Sequence, residues 1–478
     1  MAVFFEKAIA HKFHCLRIHT EPMKLFLAAA LGLQGCAQAI DVYQSIKALP
    51  NTKTFVSIID AAGLDVMLSD PVAKLTVFVP TDDAYNAWPD YQLKYVLQES
   101  GSADKFGLYA IHTGILTTDQ MTAPMNITTN APNYQLYVQT ASDSSAQIND
   151  ATCGVGQTTQ ANMIADNGVF HLVDTVFQPP AAICPDKLFA AEQRTNARIS
   201  SYGYECRSKN ETRHLYISEN QKPVGLAQDD KQQLVFWAND QDYPRRSPTS
   251  WISKVGYNES GYAVVNGSLI DPQGVFADET NQILYFASHS GYEIAKMNYD
   301  GTGLTTVYGQ PGNLNFQPSD VVVDVELDRV FTSVEGTDTM SGSLWTFFTN
   351  GSNATQLLPN ENATAGLIQN YGLCLDTYKK HIYWVQGGHG GSIHCLEYGT
   401  EQCPKETIID GLNYPYMCDI DNAFAPYGGP TRIAWSEANR PGSVYYAWAN
   451  GTDEELVNVT VSTDLDAPMG LAFGCSPF

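Results

Sequence analysis

Basic residues are scarce: 27 Lys and Arg stand against 51 Asp and Glu in 478 residues, a formal charge of −24. Nowhere do Lys and Arg cluster, and both nucleic acid and an anionic lipid surface demand such clusters. Neither is therefore expected as the main partner. Charged residues of both signs make up only 16% of the chain and hydrophobic ones 44%, which excludes a disordered polyelectrolyte. No apolar run approaches the roughly 20 residues that a spanning helix needs, so a membrane span is not expected. Catalytic signatures are missing too: there is no nucleophile elbow, His-Glu-x-x-His, phosphate loop or dinucleotide fingerprint. Cys-x-x-Cys does not occur, so a zinc site of the usual spacing is not expected either.

What remains is rich in Gly (37), Pro (24) and Tyr (26), the composition of a turn-rich β protein long enough for two or three domains. Lys24, the apolar run Leu25 to Leu33 and Ala37-Gln38-Ala39 follow the charged, apolar, small-residue order of a secretory signal peptide. Residues 1–39 are read as that segment, with the mature chain starting near Ile40 and translation starting at Met1 or Met23. Secretion predicts two further marks. Eight cysteines remain beyond residue 39, an even number that suits disulfides. Sequons occur at Asn126, Asn210, Asn258, Asn266, Asn350, Asn353, Asn362, Asn450 and Asn458, the pattern of a glycoprotein.

Residues 40–180 mix two periodicities. Phe55, Ile58, Ile59 and Leu64 have helical spacing, whereas Leu75 to Pro80 is a continuous apolar run suited to a buried strand. Thr81 or Asp82 is placed to cap the helix that follows, and Asn167-Gly168 introduces an alternating strand through Val173. The segments TVFVPTDDAY and NGVFHLVDTVFQP, with Tyr109 and His112 between them, resemble the signature boxes of the fasciclin (FAS1) domain. The resemblance implies an α+β fold and an extracellular adhesion or matrix module without a general catalytic site. His112, His171 and Asp174 are read as structural.

Residues 181–478 repeat. Pro223 to Asp229, Pro272 to Asp278, Pro318 to Asp324, Asn370 to Asp376, Pro415 to Asp421 and Pro468 to Gly474 share one pattern, and their starts are 45 to 53 residues apart. A period of this length built from short strands signals a propeller with one four-stranded blade per repeat. The second strands carry Phe-Trp-Ala-Asn239, Tyr-Phe-Ala-Ser288 or Tyr-Trp-Val-Gln386 in register. This resembles the six-bladed YWTD propeller of lipoprotein-receptor-type proteins, so the fold class expected is an α+β fasciclin domain followed by an all-β six-bladed propeller. The first second-strand motif lacks a preceding first strand and the last first-strand motif lacks successors. One blade is then shared between the termini, which removes open sheet edges. Cys184 is expected to pair with Cys475 across that join, Cys395 with Cys403, Cys374 with Cys418, and Cys153 with Cys206.

Glu192, Asn239, Ser288, Gln386 and Glu437 fall at the polar end of equivalent strands. If they converge at one channel mouth, Glu192, Asn239, Gln386 and Glu437 offer oxygen ligands suited to Ca²⁺. Such an ion could polarise a lactone or ester carbonyl. The competing reading is hydrogen bonding between blades. No cofactor is otherwise expected, and the recurring aspartates are read as turn residues. The reading that follows is a secreted, extracellular, wall- or matrix-associated glycoprotein that binds a protein or glycan. A metal-dependent hydrolase or lactonase is the alternative.

Overall fold

A computed structural model describes residues 40–132, 134–142, 144–150, 154–179, 187–193, 197–203, 212–218, 221–240, 248–336, 342–358, 369–400, 402–403, 406–439, 441–448, 459–465 and 467–475. The expected signal segment lies outside them. Helices α1 (Val42–Lys47), α2 (Lys53–Ala61), α3 (Asp65–Leu68), α4 (Asp82–Asn86), α5 (Asp90–Gln98) and α6 (Ser102–Tyr109) cover a seven-stranded sheet. Two helices start on side-chain caps that satisfy otherwise orphaned N–H groups: Asp41 accepts from Gln44 N, and Thr81 from Ala84 N. Asp82 and Asp83 in the first turn of α4 complement its dipole.

Strand β1 (Leu75–Pro80) runs parallel to β7 (Gly168–Val173) and antiparallel to β2 (Ile111–Thr113). Every residue of β1 and β7 is buried, because elements cover both faces of the sheet there, and this produces the unbroken apolar run. The turn entering β7 is Asp166-Asn167 and not the expected Asn-Gly pair: Ala165 and Gly168 already pair as strand residues. Asn167 is fully buried and works as a hub, accepting from Val42 N and donating to the carbonyls of Leu68 and Asp70. Gly168 is required because a Cβ there would lie 2.5 Å from the Leu75 carbonyl oxygen. His171 is buried between the Asn162 N–H and the Leu116 carbonyl, and burial pushes its pKa down.

Six four-stranded antiparallel sheets follow, and they form a closed propeller. Five are continuous in sequence. In the sixth, Pro468–Gly474 pairs with Lys187–Glu192, which continues into Ala197–Gly203 and Thr212–Ser218. The C-terminal strand thus supplies the inner strand of the first blade. Taking that sheet as blade 1, blades 2 to 6 begin at Pro223, Pro272, Pro318, Asn370 and Pro415. Second strands such as Leu234–Asn239 and Ile283–Ser288 are buried almost throughout, since each is covered by the blades on either side. Every junction between neighbouring blades has its own apolar cluster, for example Phe236, Leu284 and Phe286 between blades 2 and 3.

Two local devices recur. The aspartate ending an inner strand accepts from main-chain N–H groups of the following turn: Asp278 from Thr280 and Asn281, Asp324 from Leu327, Asp376 from Tyr378 and Lys379. Several also reach the next blade, as Asp324 does to Lys380 and Tyr398. Near the inner-strand start a glycine permits close approach of the neighbouring blade. At Gly470 a Cβ would sit 2.4 Å from the Val224 carbonyl oxygen.

Candidate functional site

The inner strands enclose a cavity of about 590 Å³ at the channel end that carries the first-to-second-strand turns. Aliphatic side chains such as Val275, Val321, Val323 and Leu373 alternate in its walls with polar groups, which supply the larger share of the exposed lining. Lys231, Glu279 and Glu326 contribute charge. Deeper in the wall stand Asp320 and Asp419, and both are occupied in the same way. Asp320 accepts from Val321 N on its own strand and from Leu373 N on the next blade, each at 2.8 Å. Asp419 accepts from Ile420 N at 2.8 Å and from Phe473 N on the next blade at 2.6 Å. Each carboxylate therefore ties adjacent inner strands together. Burial raises the pKa of both to about 7, against the pull of the two N–H groups. Asp320 takes the place that Gly225 and Gly274 hold two residues after the opening proline in blades 2 and 3.

Four residues considered as calcium ligands take other partners. Glu192 bonds Arg198, Ser200 and Tyr202 on the third strand of its blade. Asn239 donates to Ser253 and Gln386 accepts from Ser392, again on third strands. Glu437 accepts from Asn413 N, and Ser288 donates to the Ile270 carbonyl. None of the five lines the cavity. Among the described residues, no grouping of three His, Cys, Asp or Glu ligand atoms includes Glu192 or Glu437. Glu192 and Gln386 spend oxygens on hydrogen bonds within their own blades, Glu437 spends one on the fourth strand of blade 5, and the Asn239 amide oxygen is buried without a hydrogen-bond partner among the described residues.

At the opposite end of the channel, His289 is held between Glu335, 2.8 Å from Nε2, and Asp271, 3.4 Å from Nδ1. Burial disfavours its charge, but the two carboxylates outweigh burial and lift it to about 9. The result is a charged tie between blades 3 and 4.

Cys374 bonds Cys418 across blades 5 and 6, and Cys395 bonds Cys403 within blade 5. Cys475 is also disulfide-bonded. Its expected partner Cys184, like Cys153 and Cys206, lies outside the described residues. Of the sequons, Asn126, Asn258, Asn350 and Asn353 are exposed and Asn266 is half-buried. Asn210, Asn362, Asn450 and Asn458 are outside the described residues. Asn258 and Asn350 occupy third-to-fourth-strand turns on the propeller rim.

One contact has no counterpart in the sequence reading. In blades 2 to 5 four residues join the first strand to the second, whereas ten, 422–431, do so in blade 6. That insertion holds a short 3-10 turn, Ala425–Tyr427, and reaches the N-terminal unit. Phe424 is 4% exposed and belongs to the N-terminal core cluster. Its ring lies 5.1 Å from Tyr91 and 5.3 Å from Tyr95 on α5. Tyr427 stacks edge-on to Tyr95 at 5.6 Å and donates to Glu99 at 2.7 Å. Gly429 leaves room for Tyr91, because a Cβ there would lie 2.8 Å from that ring. The same loop contributes Asn422 to the cavity lining, so the N-terminal unit is moored beside the channel opening. The extra loop length and its Phe, Tyr and Gly-Gly-Pro content were the available signal.

Comparison with known proteins bears on the N-terminal unit. Residues 50–179 match the fasciclin domain family. Human periostin is 22% identical over 139 residues, which is 29% of this chain; the match spans only 16% of periostin's length. Among solved structures, a nidogen/laminin complex superposes with a TM-score of 0.46 at 18% identity, covering 60% of this chain and 97% of that one. A gluconolactonase of Xanthomonas campestris superposes with a TM-score of 0.39 at 14% identity, covering 61% and 90%. Among the described residues no helix is long and apolar enough to cross a membrane.

Proposed function

We propose that this protein is a secreted, glycosylated adhesion or recognition protein, in which a fasciclin domain ending near residue 180 and a six-bladed propeller bind extracellular protein or glycan partners without catalysis. One observation carries the non-catalytic half of the reading. Asp320 and Asp419 stand deep in the cavity wall, and both have their two oxygens engaged by main-chain N–H groups of adjacent inner strands. Carboxylates committed in this way hold the ring closed and are poorly placed to ligate a metal or to accept a substrate proton. The mooring of Phe424 in the N-terminal core supports the other half, since it presents two candidate binding modules as one unit.

The test uses glycosylated protein purified from culture medium. Surface-immobilised protein is screened against arrays of extracellular-matrix proteins and of glycans, alongside assays with lactone and ester substrates in the presence and absence of Ca²⁺. Saturable binding to a defined matrix protein or glycan, with no hydrolysis above background, is the expected result. Hydrolysis that disappears on chelation, or in Asp320→Asn and Asp419→Asn proteins that still fold, would overturn the reading.

A further inference from the structure

Blade 5 brings together three soft-metal ligands that lie far from any usual zinc spacing. In its second and third strands, His381 faces Glu397 and Tyr383 faces Cys395. His381 and Cys395 are therefore diagonal neighbours on one face of the hairpin, a separation that long side chains bridge. Cys403, from the connection that follows the third strand, returns to bond Cys395. A ring nitrogen of His381 and the two sulfurs all lie within 4.8 Å of one another. Among the described residues this is the one grouping of its kind.

We propose that His381, Cys395 and Cys403 form a thiol-gated metal site, closed as a disulfide in the oxidised protein and able to take Zn²⁺ once that disulfide is reduced. The geometry suits it. Zinc bonds of about 2.3 Å to sulfur and about 2.0 Å to nitrogen put tetrahedral ligands roughly 3.5–3.8 Å apart. The sulfurs need only part to that distance, and the 6.0 Å between the Cα atoms of Cys395 and Cys403 accommodates it without moving the strands. Two thiolates and an imidazole select zinc over a hard cation such as Ca²⁺, and three protein ligands leave a fourth position for water.

Access favours opening this disulfide over its neighbour Cys374–Cys418. Cys374 and Cys418 are 1% and 6% exposed, whereas Cys403 is half-buried. A thiolate reductant attacks Cys403 Sγ, the S–S bond breaks, and Cys395 leaves as thiolate. A second reductant thiol then resolves the mixed disulfide, so two reductant thiols are oxidised to one disulfide while the protein gains two thiols. Binding Zn²⁺ releases the two thiol protons. The hairpin is cross-linked in either state, by sulfur or by metal.

The test uses the full chain, oxidised or treated mildly with a phosphine reductant, and Co²⁺ as the spectroscopic probe with Zn²⁺ as competitor. Reduced protein should develop thiolate-to-cobalt charge-transfer absorption that saturates at one equivalent and is discharged by Zn²⁺. Oxidised protein should show none. His381→Ala and His381→Gln, each checked for folding by tryptophan fluorescence, should weaken cobalt binding at least about tenfold. A Cys374→Ser, Cys418→Ser double variant should keep the band. Absence of the band after reduction, equal binding by oxidised protein, or undiminished binding in a folded His381 variant would each overturn the proposal.

Discussion

The fasciclin domain and the propeller bury their apolar residues in different ways. The first concentrates helices and one face of its sheet into one large cluster that runs from Val42 to Val176 and takes in Phe424. The other face has a single companion cluster around Phe78, Tyr109 and Ile148. The propeller has no common centre. Its apolar residues fall into six small clusters, one per blade junction, with an open cavity where a centre would be. Stability in such a ring is close to a sum of nearest-neighbour interfaces. The loss of one junction reaches the rest only through ring closure. Buried charge divides in the same way: among the described residues Glu192, Asp229, Asp271, Asp278, Asp320, Asp324, Asp376, Asp421, Arg432 and Glu437 are buried in the propeller, against Asp150 in the fasciclin domain.

The sharpest way to break the comparison is to open the ring while leaving the other domain untouched. In Gly470→Val the new side chain strikes the Val224 carbonyl oxygen, 2.4 Å from the Cβ position, and main chain cannot move aside as a side chain can. We expect the propeller to lose about 4 kcal/mol or more, the range of the most damaging substitutions. Two probes separate the domains. Six of the seven tryptophans lie in the propeller, and among the described residues every α-helix lies in the fasciclin domain. Tryptophan fluorescence should lose its native signal at a much lower temperature, while helical circular dichroism keeps its transition. A joint collapse of both would mean that the two domains are not separate cooperative units.

The next largest effect falls on their junction. Phe424 is a propeller residue in a fasciclin core, so Phe424→Ala should cost about 3 kcal/mol by opening a cavity beside Tyr91 and Tyr95. The expected outcome is a lower helical transition and a wider gap between the two melting curves, read by calorimetry. Unchanged curves would show that the contact does not couple the domains.

This junction also marks the limit of what was legible. Inner strands could be placed from sequence because the blades solve the same local problem with the same residues, a proline or asparagine to enter and, in blades 2 to 6, an aspartate to end the strand. Strand closure followed from counting the motifs. The polar ends of the second strands were located correctly, but position in register does not reveal side-chain direction, and Glu192 turns to Arg198 on its own blade. Phe424 touches α5 across more than 300 residues, a contact without periodicity. Asp320 departs from the glycine common at its position, a feature not read from the sequence, and since Met417 departs there too the departure alone does not mark the channel-wall carboxyl.

Most diagnostic is the response to mild acid, which should move the two domains in opposite directions. In the propeller, Asp320 and Asp419 have folded pKa values raised to about 7, well above the ordinary aspartate value of 3.8. The folded state then binds more protons than the unfolded chain between about pH 4 and pH 7. The resulting stability is complete below the unfolded value and is lost as pH rises through 7. Going from pH 7 to pH 5 should therefore strengthen the propeller by on the order of 2 kcal/mol per carboxyl. His289, lifted to about 9 between Asp271 and Glu335, stays protonated throughout that range and adds to the preference for acid. His394, with its pKa lowered by burial, pulls the other way. In the fasciclin domain the buried His171 has a depressed pKa, so its neutral form must be protonated as pH falls below 6.5, and the domain loses stability. Melting followed by fluorescence and by helical circular dichroism at pH 7, 6 and 5 should show the curves moving apart. Asp320→Asn with Asp419→Asn should flatten the propeller's response while leaving the fasciclin shift intact. Curves that move together in the unmodified protein would mean that these carboxyls are ionised at pH 5 and bind the blades as charges.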